Sequence, residues 1–524
     1  MNLIKKLGSL EKITLRFVVF SLLFFGLSSL EGMMMRTELC NIKLIEPEHY
    51  FAVLNAHPIV GVFGYSFMLV MGAFYFLVPT LMNKKLFSEK LAHLNLWLMV
   101  GGVMIVWLSS FLFRYAALYT NYWPLPILRS TPVSLLSYGI GMFTIMSSVL
   151  IFCFNLYATI LKKAPGQTKP TTAYIISGLG LDGLINLFRR LVGKGKRKDL
   201  PDVPLPLTAI FKGSVDTVLD ALVLGLVSLV LIIYAVSGFA GKMFSHKIID
   251  PLIYKNVYWW GLDLIADGLV LIYVVGTWYL LTMLITKRSI FGENVVRAAM
   301  FIELVVSWSV WSHHLLSDQP QPLFLRFFSG ELITSLEIIT TGIAIFCSLA
   351  TLWLARPLKM TVPLKFMLGG ITGFAIGAVA GIMQANVDTN RILHNTQWVV
   401  GFHAHTMILV GLSMTLFAAL YAVFPMVTKL ELKSNRLVSL HFWCNFIGGI
   451  GMSMAMGYAG LAGMLRRNLY FGETKYLPYM YVAMLFGLVI VVGYAAMMIN
   501  IIRSIGVKTL ISLFVRIPAL EKEV

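Results

Sequence analysis

The chain has 524 residues, 58% of them hydrophobic and only 13% charged, about half the charge of a soluble globular protein. Its 42 Lys and Arg against 24 Asp and Glu give a net charge of +18. These figures exclude disordered, fibrous and disulfide-scaffold classes, and apolar runs of roughly 20 residues point to an all-α polytopic membrane protein.

The first apolar run follows Lys5, Lys6 and Lys12, lacks a small-residue cleavage site and ends at Glu31-Gly32-Met33. It reads as a retained span. Spans are expected at about 13–33, 48–79, 95–115, 134–160, 214–238, 257–286, 298–318, 330–356, 364–388, 396–424, 436–464 and 478–502, which makes about twelve transmembrane helices. An even number puts both termini on one side. The connections on that side hold the larger share of Lys and Arg, so both termini are expected in the cytoplasm. The long 161–213 connection, with Lys194-Gly195-Lys196-Arg197-Lys198, reads as a basic cytoplasmic loop between spans four and five, attracted to anionic lipid. Within it, Ala173 to Leu191 is expected to lie on the membrane as a short amphipathic segment. Residues 1–524 thus form a single membrane domain, and the basic surplus is an orientation signal with no bearing on nucleic acid. Four isolated cysteines, without a Cys-x-x-Cys pair, offer neither a disulfide framework nor a covalent haem attachment.

Ionisable groups inside a bilayer are costly and mark function by default. His57, His313, His314, His403 and His405 fall within the expected spans, as do Asp263, Asp267, Glu303 and Glu337. Counting turns places most of them at one level, in the outer third of the membrane. In Gly401-Phe402-His403-Ala404-His405 the two imidazoles diverge by about 200° on an α-helix, so each can serve a separate centre. Adjacent His313 and His314 diverge by about 100° and can both reach one metal off the helix end. Asp263 and Asp267 are i and i+4 and share a helix face. Two histidines and a carboxylate suit non-haem Fe(II), whereas copper prefers more imidazole; Glu337 could add a fourth ligand or a proton. Glu303 is expected to pair with Arg297 at the helix entrance, with a proton route from inside as the alternative.

These residues resemble, along nearly the full chain, the catalytic subunit (subunit I) of the haem–copper oxidase superfamily. The likeness looks closest to its nitric oxide reductase branch. Glu46 to His57 is similar to the segment that brings the first axial histidine of the low-spin haem, with Pro58 replacing the glycine usual in oxidases. Gly72-Ala-Phe-Tyr-Phe-Leu-Val-Pro79 is similar to nitric oxide reductases. His394-Asn-Thr-Gln-Trp-Val-Val-Gly-Phe-His403-Ala-His405 is the most specific match. The resemblance implies that His403 holds the high-spin haem and that His405 pairs with His57 across the low-spin haem. Arg466 and Arg467 are similar to the arginine pair that neutralises haem propionates. In Trp259-Trp260-Gly-Leu-Asp263-Leu-Ile-Ala-Asp267-Gly268, Asp263 stands where the family has a metal-binding histidine. Asp267 stands where nitric oxide reductases have a glutamate. No Tyr occupies the cross-link position of the main oxygen reductases. Thr334-Ser335-Leu336-Glu337 resembles the Leu-Glu segment beside the non-haem iron.

The expectation is therefore a respiratory nitric oxide reductase that converts two NO to nitrous oxide and water. It would use two haems (a low-spin b-type and a high-spin b3-type) and a non-haem iron held by His313, His314, Asp263 and Glu337, with copper as the alternative metal. Asp267 and Glu337 are the candidate proton donors. The alternatives are a terminal oxygen reductase of the same superfamily and a non-redox transporter. The electron donor is expected to be a small membrane-anchored subunit of cytochrome c or cupredoxin type, or quinol. The location expected is the prokaryotic cytoplasmic membrane.

Overall fold

The computed structural model describes residues 6–162, 169–197, 199–201, 203–311, 313–317, 321–470 and 473–515; Lys198 of the basic run lies outside them. Apolar runs interrupted by Gly, Pro and Asn become long helices: α1 (Ser9–Leu39), α2 (Pro47–Met82), α3 (Glu89–Phe113), α4 (Pro132–Leu161), α5 (Leu205–Phe239) and α6 (Pro251–Thr286). The second half comprises α7 (Glu293–Trp308), α8 (Leu323–Leu354), α9 (Val362–Ala385), α10 (Val399–Thr428), α11 (Asn435–Leu461) and α12 (Leu477–Ile505). Among the described residues there is no strand, only a single antiparallel bridge between Thr396 and Leu465.

Helix starts follow local chemistry. Ser88, Thr131, Asp250, Thr361 and Ser434 each accept a backbone N–H of the first turn of α3, α4, α6, α9 and α11. Among the described residues, eleven of these helices are long and apolar enough to cross a membrane. The exception is α7, whose 16 residues reach only about 24 Å.

Burial sorts the helices into layers. The apolar windows of α2 and α6 are each 83% buried and that of α10 is 78%, whereas α12 is 33% buried and α3 and α8 are each 39%. The inner three carry His57, the Asp263–Asp267 pair, and His403 with His405. Helix α5 is amphipathic in the membrane sense: Leu222, Leu226 and Ile233 are exposed outward, while Lys212, Asp216 and Asp220 face the interior with no accessible surface.

Four helices are locally wound as π-helix: Val60–Phe67 in α2, Ala266–Tyr273 in α6, Arg326–Ile333 in α8 and Val399–Leu412 in α10. In α2 the π stretch begins two residues after Pro58, which has no N–H to donate to the preceding turn. Such segments occur often at functional sites, and each of these contains or adjoins a candidate residue.

Three expectations change. The connection after α4 ends at Pro204, because α5 starts at Leu205; residues 205–213 are buried helix, not loop. The amphipathic stretch is two helices, Thr171–Gly178 and Leu181–Leu191, bent by 83°. Finally, α7 ends at Trp308, so His313 and His314 stand in a 3-10 turn, His313–Leu315, beyond the helix rather than within it.

Candidate functional site

His57, His403 and His405 lie deep in the bundle, and each is oriented in the same way. The Nδ1 of His57 is 2.9 Å from the Ser28 carbonyl, that of His403 is 2.8 Å from Gly377 O, and that of His405 is 2.7 Å from Val400 O. A carbonyl only accepts, so each Nδ1 carries the proton and each Nε2 is left with a lone pair. Among the described residues no protein group hydrogen-bonds those Nε2 atoms, and all three imidazoles retain accessible surface inside the bundle. This arrangement, with a pinned Nδ1–H and an open Nε2, fits axial ligation of a haem. The His405 anchor is five residues back, and it lies within the π-wound part of α10.

His405 neighbours His57. His403 turns to α9, where a Cβ on Gly381 would stand 2.9 Å from its Cε1. Gly381 therefore makes the room that this imidazole needs. The opposed directions expected for His403 and His405 are present, although the backbone there is π rather than α.

The second group comes from α6 and from the turn after α7. Asp263, His313 and His314 offer ligand atoms all within 4.8 Å of one another, a spacing able to hold a metal ion. His314 Nε2 lies 2.7 Å from Asp263 Oδ1, and His313 Nδ1 is 2.7 Å from Thr334 Oγ1 on α8. The Trp259 ring stacks on His314 with centroids 4.2 Å apart, which fixes the plane of the imidazole. Because α7 has already ended, the turn can send the two adjacent imidazoles to one place. Two imidazoles and one carboxylate fit a divalent first-row metal, and His403 neighbours both Asp263 and His313.

Glu337 neighbours Asp267 and Asp263 but stands outside the close ligand group, so it is not brought into the same shell. Asp267 is buried, and among the described residues one of its carboxylate oxygens has no hydrogen-bond partner. Arg466 approaches Asn395 Oδ1 at 3.4 Å. Arg467 donates to the Tyr119 hydroxyl at 3.1 Å, and its guanidinium lies over the Tyr119 and Tyr122 rings. Tyr122 in turn accepts from Trp259 Nε1 at 3.2 Å, so Arg467 is tied to the indole that stacks on His314. In this loop outside the spans, burial would raise the Tyr119 pKa, but Arg467 and Arg466 outweigh it and hold the phenol below its ordinary value.

Glu303 differs from expectation. It does not pair with Arg297; its carboxylate meets Lys212 of α5, and both side chains have no exposure. Arg297 instead binds Glu293 at 2.8 Å and Asp182 at 3.5 Å. The reason is helical register: Arg297 and Glu303 are six residues apart and face different neighbours, whereas Glu293 is one turn from Arg297.

Residues missed in the sequence include Lys212, Asp216 and Asp220, whose i, i+4, i+8 spacing on an apolar helix was the available signal. Glu31 and Arg36 of α1 were missed too; both are buried, and Gly32 between them packs on His57.

The family described as "Cytochrome C and Quinol oxidase polypeptide I" matches residues 12–490. The chain is 26% identical over 461 residues to "Cytochrome c oxidase polypeptide 1" of Halobacterium salinarum, covering 86% of this chain and 70% of the relative. It is 25% identical over 465 residues to "Cytochrome c oxidase subunit 1" of Synechocystis, covering 87% and 76%. A solved structure described as a heme-copper terminal oxidase dimer superposes with a TM-score of 0.71 at 19% identity, covering 95% of this chain and 84% of that one. These relatives carry cytochrome c oxidase names, so the nearness to nitric oxide reductases expected from the sequence finds no support among them. With the family match extending over most of the sequence and the helical bundle superposing on a member's, the chain belongs to the haem–copper oxidase subunit I family and is a multi-pass membrane oxidoreductase.

Proposed function

We propose that this chain is the catalytic subunit of a membrane-bound terminal reductase. Oxygen is the oxidant that the names of the relatives favour. The observation that carries the reductase reading is the common anchoring of His57, His403 and His405 through Nδ1, beside a three-residue metal-ligand group. His57 and His405 would hold a low-spin haem, His403 would hold a high-spin haem, and His313, His314 and Asp263 would hold the non-haem metal. When bound, these groups would supply redox storage and Lewis-acid binding of the gas. The protein supplies orientation. Thr334 and Trp259 fix His313 and His314, and carbonyls from α1, α9 and α10 fix the haem-facing imidazoles. Asp267 and Glu337 hold protons beside the ligand group, and Arg466 with Arg467 provides positive charge for haem carboxylates.

A second reading, reduction of NO to nitrous oxide, is favoured by one specific observation. Asp263 stands among the ligand atoms, so the donor set has two imidazoles and suits iron better than copper. Tyr273, the nearest following tyrosine in α6, hydrogen-bonds to Ser214 on α5 and belongs to another cluster.

The positive-inside rule supports cytoplasmic termini in a prokaryotic cytoplasmic membrane. Electrons come from a small membrane-anchored donor of cytochrome c or cupredoxin type, or from quinol. Aerobic oxygen uptake and anaerobic NO consumption by the purified complex, with optical spectra and metal analysis, test the reading. Oxygen uptake with copper supports the oxidase; NO turnover with iron beyond that of two haems supports the second reading. A colourless protein inert to both gases overturns both.

A further inference from the structure

Apolar helix ends seldom leave room between them, because protein interiors pack at crystal-like density. On the face bearing the chain termini, however, the ends of α6 and α10 and the start of α9 enclose a cavity of about 360 Å³. It opens where three helices that are joined deeper in the bundle diverge. Trp278 Nε1 donates to Thr415 Oγ1 at 2.9 Å and ties α6 to α10, and the Thr282 hydroxyl meets Met367 Sδ at 4.0 Å and ties α6 to α9. Among the described residues no further hydrogen bond joins α6 to α9 or α10 beyond Thr282. The walls there are Leu281, Leu284 and Ile285 of α6, Leu358 and Pro363 about the start of α9, and Ala422 of α10. Arg288 donates to the Leu354 carbonyl at 2.6 Å, which fixes the end of α8 and the connection carrying Leu358 against the end of α6.

The polar lining is Lys359 and Thr361. The Thr361 hydroxyl already accepts the Leu364 N–H at the start of α9, whereas Lys359 is exposed and, among the described residues, has no hydrogen-bond or ion-pair partner. The segments 281–288, 354–365 and 419–430 that build the walls hold Lys287, Arg288, Arg356, Lys359, Lys365 and Lys429 and no acid. Trp353 and Trp443 beside them are exposed, and indoles gather at the headgroup level of a bilayer. Water needs two to four polar partners to fill such a space, and these walls offer almost none. A small soluble anion would satisfy Lys359 but not the walls, and a neutral apolar chain would satisfy the walls but not Lys359. Size, apolar lining and one polar group at the opening are the marks of a ligand site.

We propose that this cavity binds one anionic phospholipid from the leaflet on the side of the termini, with part of an acyl chain between α6, α9 and α10 and its phosphate on Lys359. The basic rim draws the headgroup, and the chain fills space that the three helices cannot close themselves. Helix α6 carries Asp263 and Asp267, and α10 carries His403 and His405. The lipid therefore braces the frame of the candidate site from its far end without touching it. The inference does not depend on which gas the chain reduces.

The test uses the delipidated holoenzyme in a neutral detergent, titrated with phosphatidylglycerol or phosphatidylcholine and read by native mass spectrometry and Tm. The wild type is expected to retain one phosphatidylglycerol and to gain Tm with it. Lys359→Gln lowers the preference for phosphatidylglycerol over phosphatidylcholine about fivefold, the share of one cation at a membrane surface. Leu284→Trp fills the cavity and weakens both lipids at least tenfold, with unchanged haem spectra. Ala422→Leu, a milder filling, gives the same direction and guards against misfolding of the larger variant. Lys85→Gln, on the same face but away from the cavity, keeps the wild-type preference. Lipid affinities within twofold of wild type in both filling variants overturn the site. So does a Lys85→Gln loss equal to that of Lys359→Gln, which means general surface attraction. A photoreactive amino acid at Leu284 that cross-links to a polypeptide instead of lipid, or retention of a free fatty acid in place of phosphatidylglycerol, also overturns it. No reading needs turnover, so a holoenzyme inert to oxygen and NO sinks the proposed function while the lipid site is still decided.

Discussion

His314 Nε2 lies 2.7 Å from Asp263 Oδ1, with the Trp259 ring stacked on the same imidazole. The carboxylate comes from an inner helix and the imidazole from a turn outside any helix, so only the packing of α6 against the α7–α8 connection creates the contact. In the proposed metal site that contact would make one side chain decide the metal. Asp263→Asn is expected to remove an anionic ligand and reduce non-haem metal content and turnover by at least 100-fold, with both haem spectra retained. Asp263→His supplies a third imidazole and should shift the metal bound toward copper. Metal analysis of the purified variants reads both.

His57, His403 and His405 predict separable losses. His403→Ala should remove the high-spin haem signal and leave the low-spin one, whereas His57→Ala or His405→Ala should do the reverse. Haem content falls by about half in each case. Optical spectra of the reduced protein, with and without carbon monoxide, distinguish the two.

Thr334 is a positioning residue for His313. Thr334→Val keeps the shape but removes the oxygen 2.7 Å from His313 Nδ1. Loss of such an outer partner weakens metal binding by about 10–100-fold. Titration of the metal-depleted protein measures it, and Thr334→Ser should restore affinity.

Gly381→Ala places a methyl 2.9 Å from His403 Cε1. Overpacking of this kind costs about 1–3 kcal/mol. The expected outcome is a lower Tm with a perturbed high-spin haem and an unperturbed low-spin haem.

Arg297 is nearly buried and joins α7 to the 181–191 helix through Asp182 and to its own first turn through Glu293. Burial raises the Asp182 carboxyl, and Arg297 opposes this by favouring the charged form. Arg297→Ala strands the partner carboxylate and should destabilise the protein by about 3–5 kcal/mol, read as a shift in the thermal transition. Arg297→Lys should recover only part, since a single ammonium cannot also serve Thr208 and the Val203 carbonyl.

Hydropathy alone determined the helical membrane class and the approximate position of the spans, because a spanning segment must satisfy its backbone internally. The His403-Ala-His405 spacing likewise determined opposed faces, since two residues two apart point apart in either α- or π-winding. Local pattern could not locate the end of α7. A run from 298 to 318 looks continuously apolar, yet the helix stops at Trp308 because His313 and His314 gain partners on α6 and α8 that a continued helix would deny them. Nor could it assign Lys212: a lysine beside a basic connection reads as solvated until Glu303 and Asp216 are seen to enclose it. Sequence thus set which groups are available and on which helices. Tertiary packing decided which of them meet, because a buried charge takes its position from partners far along the chain.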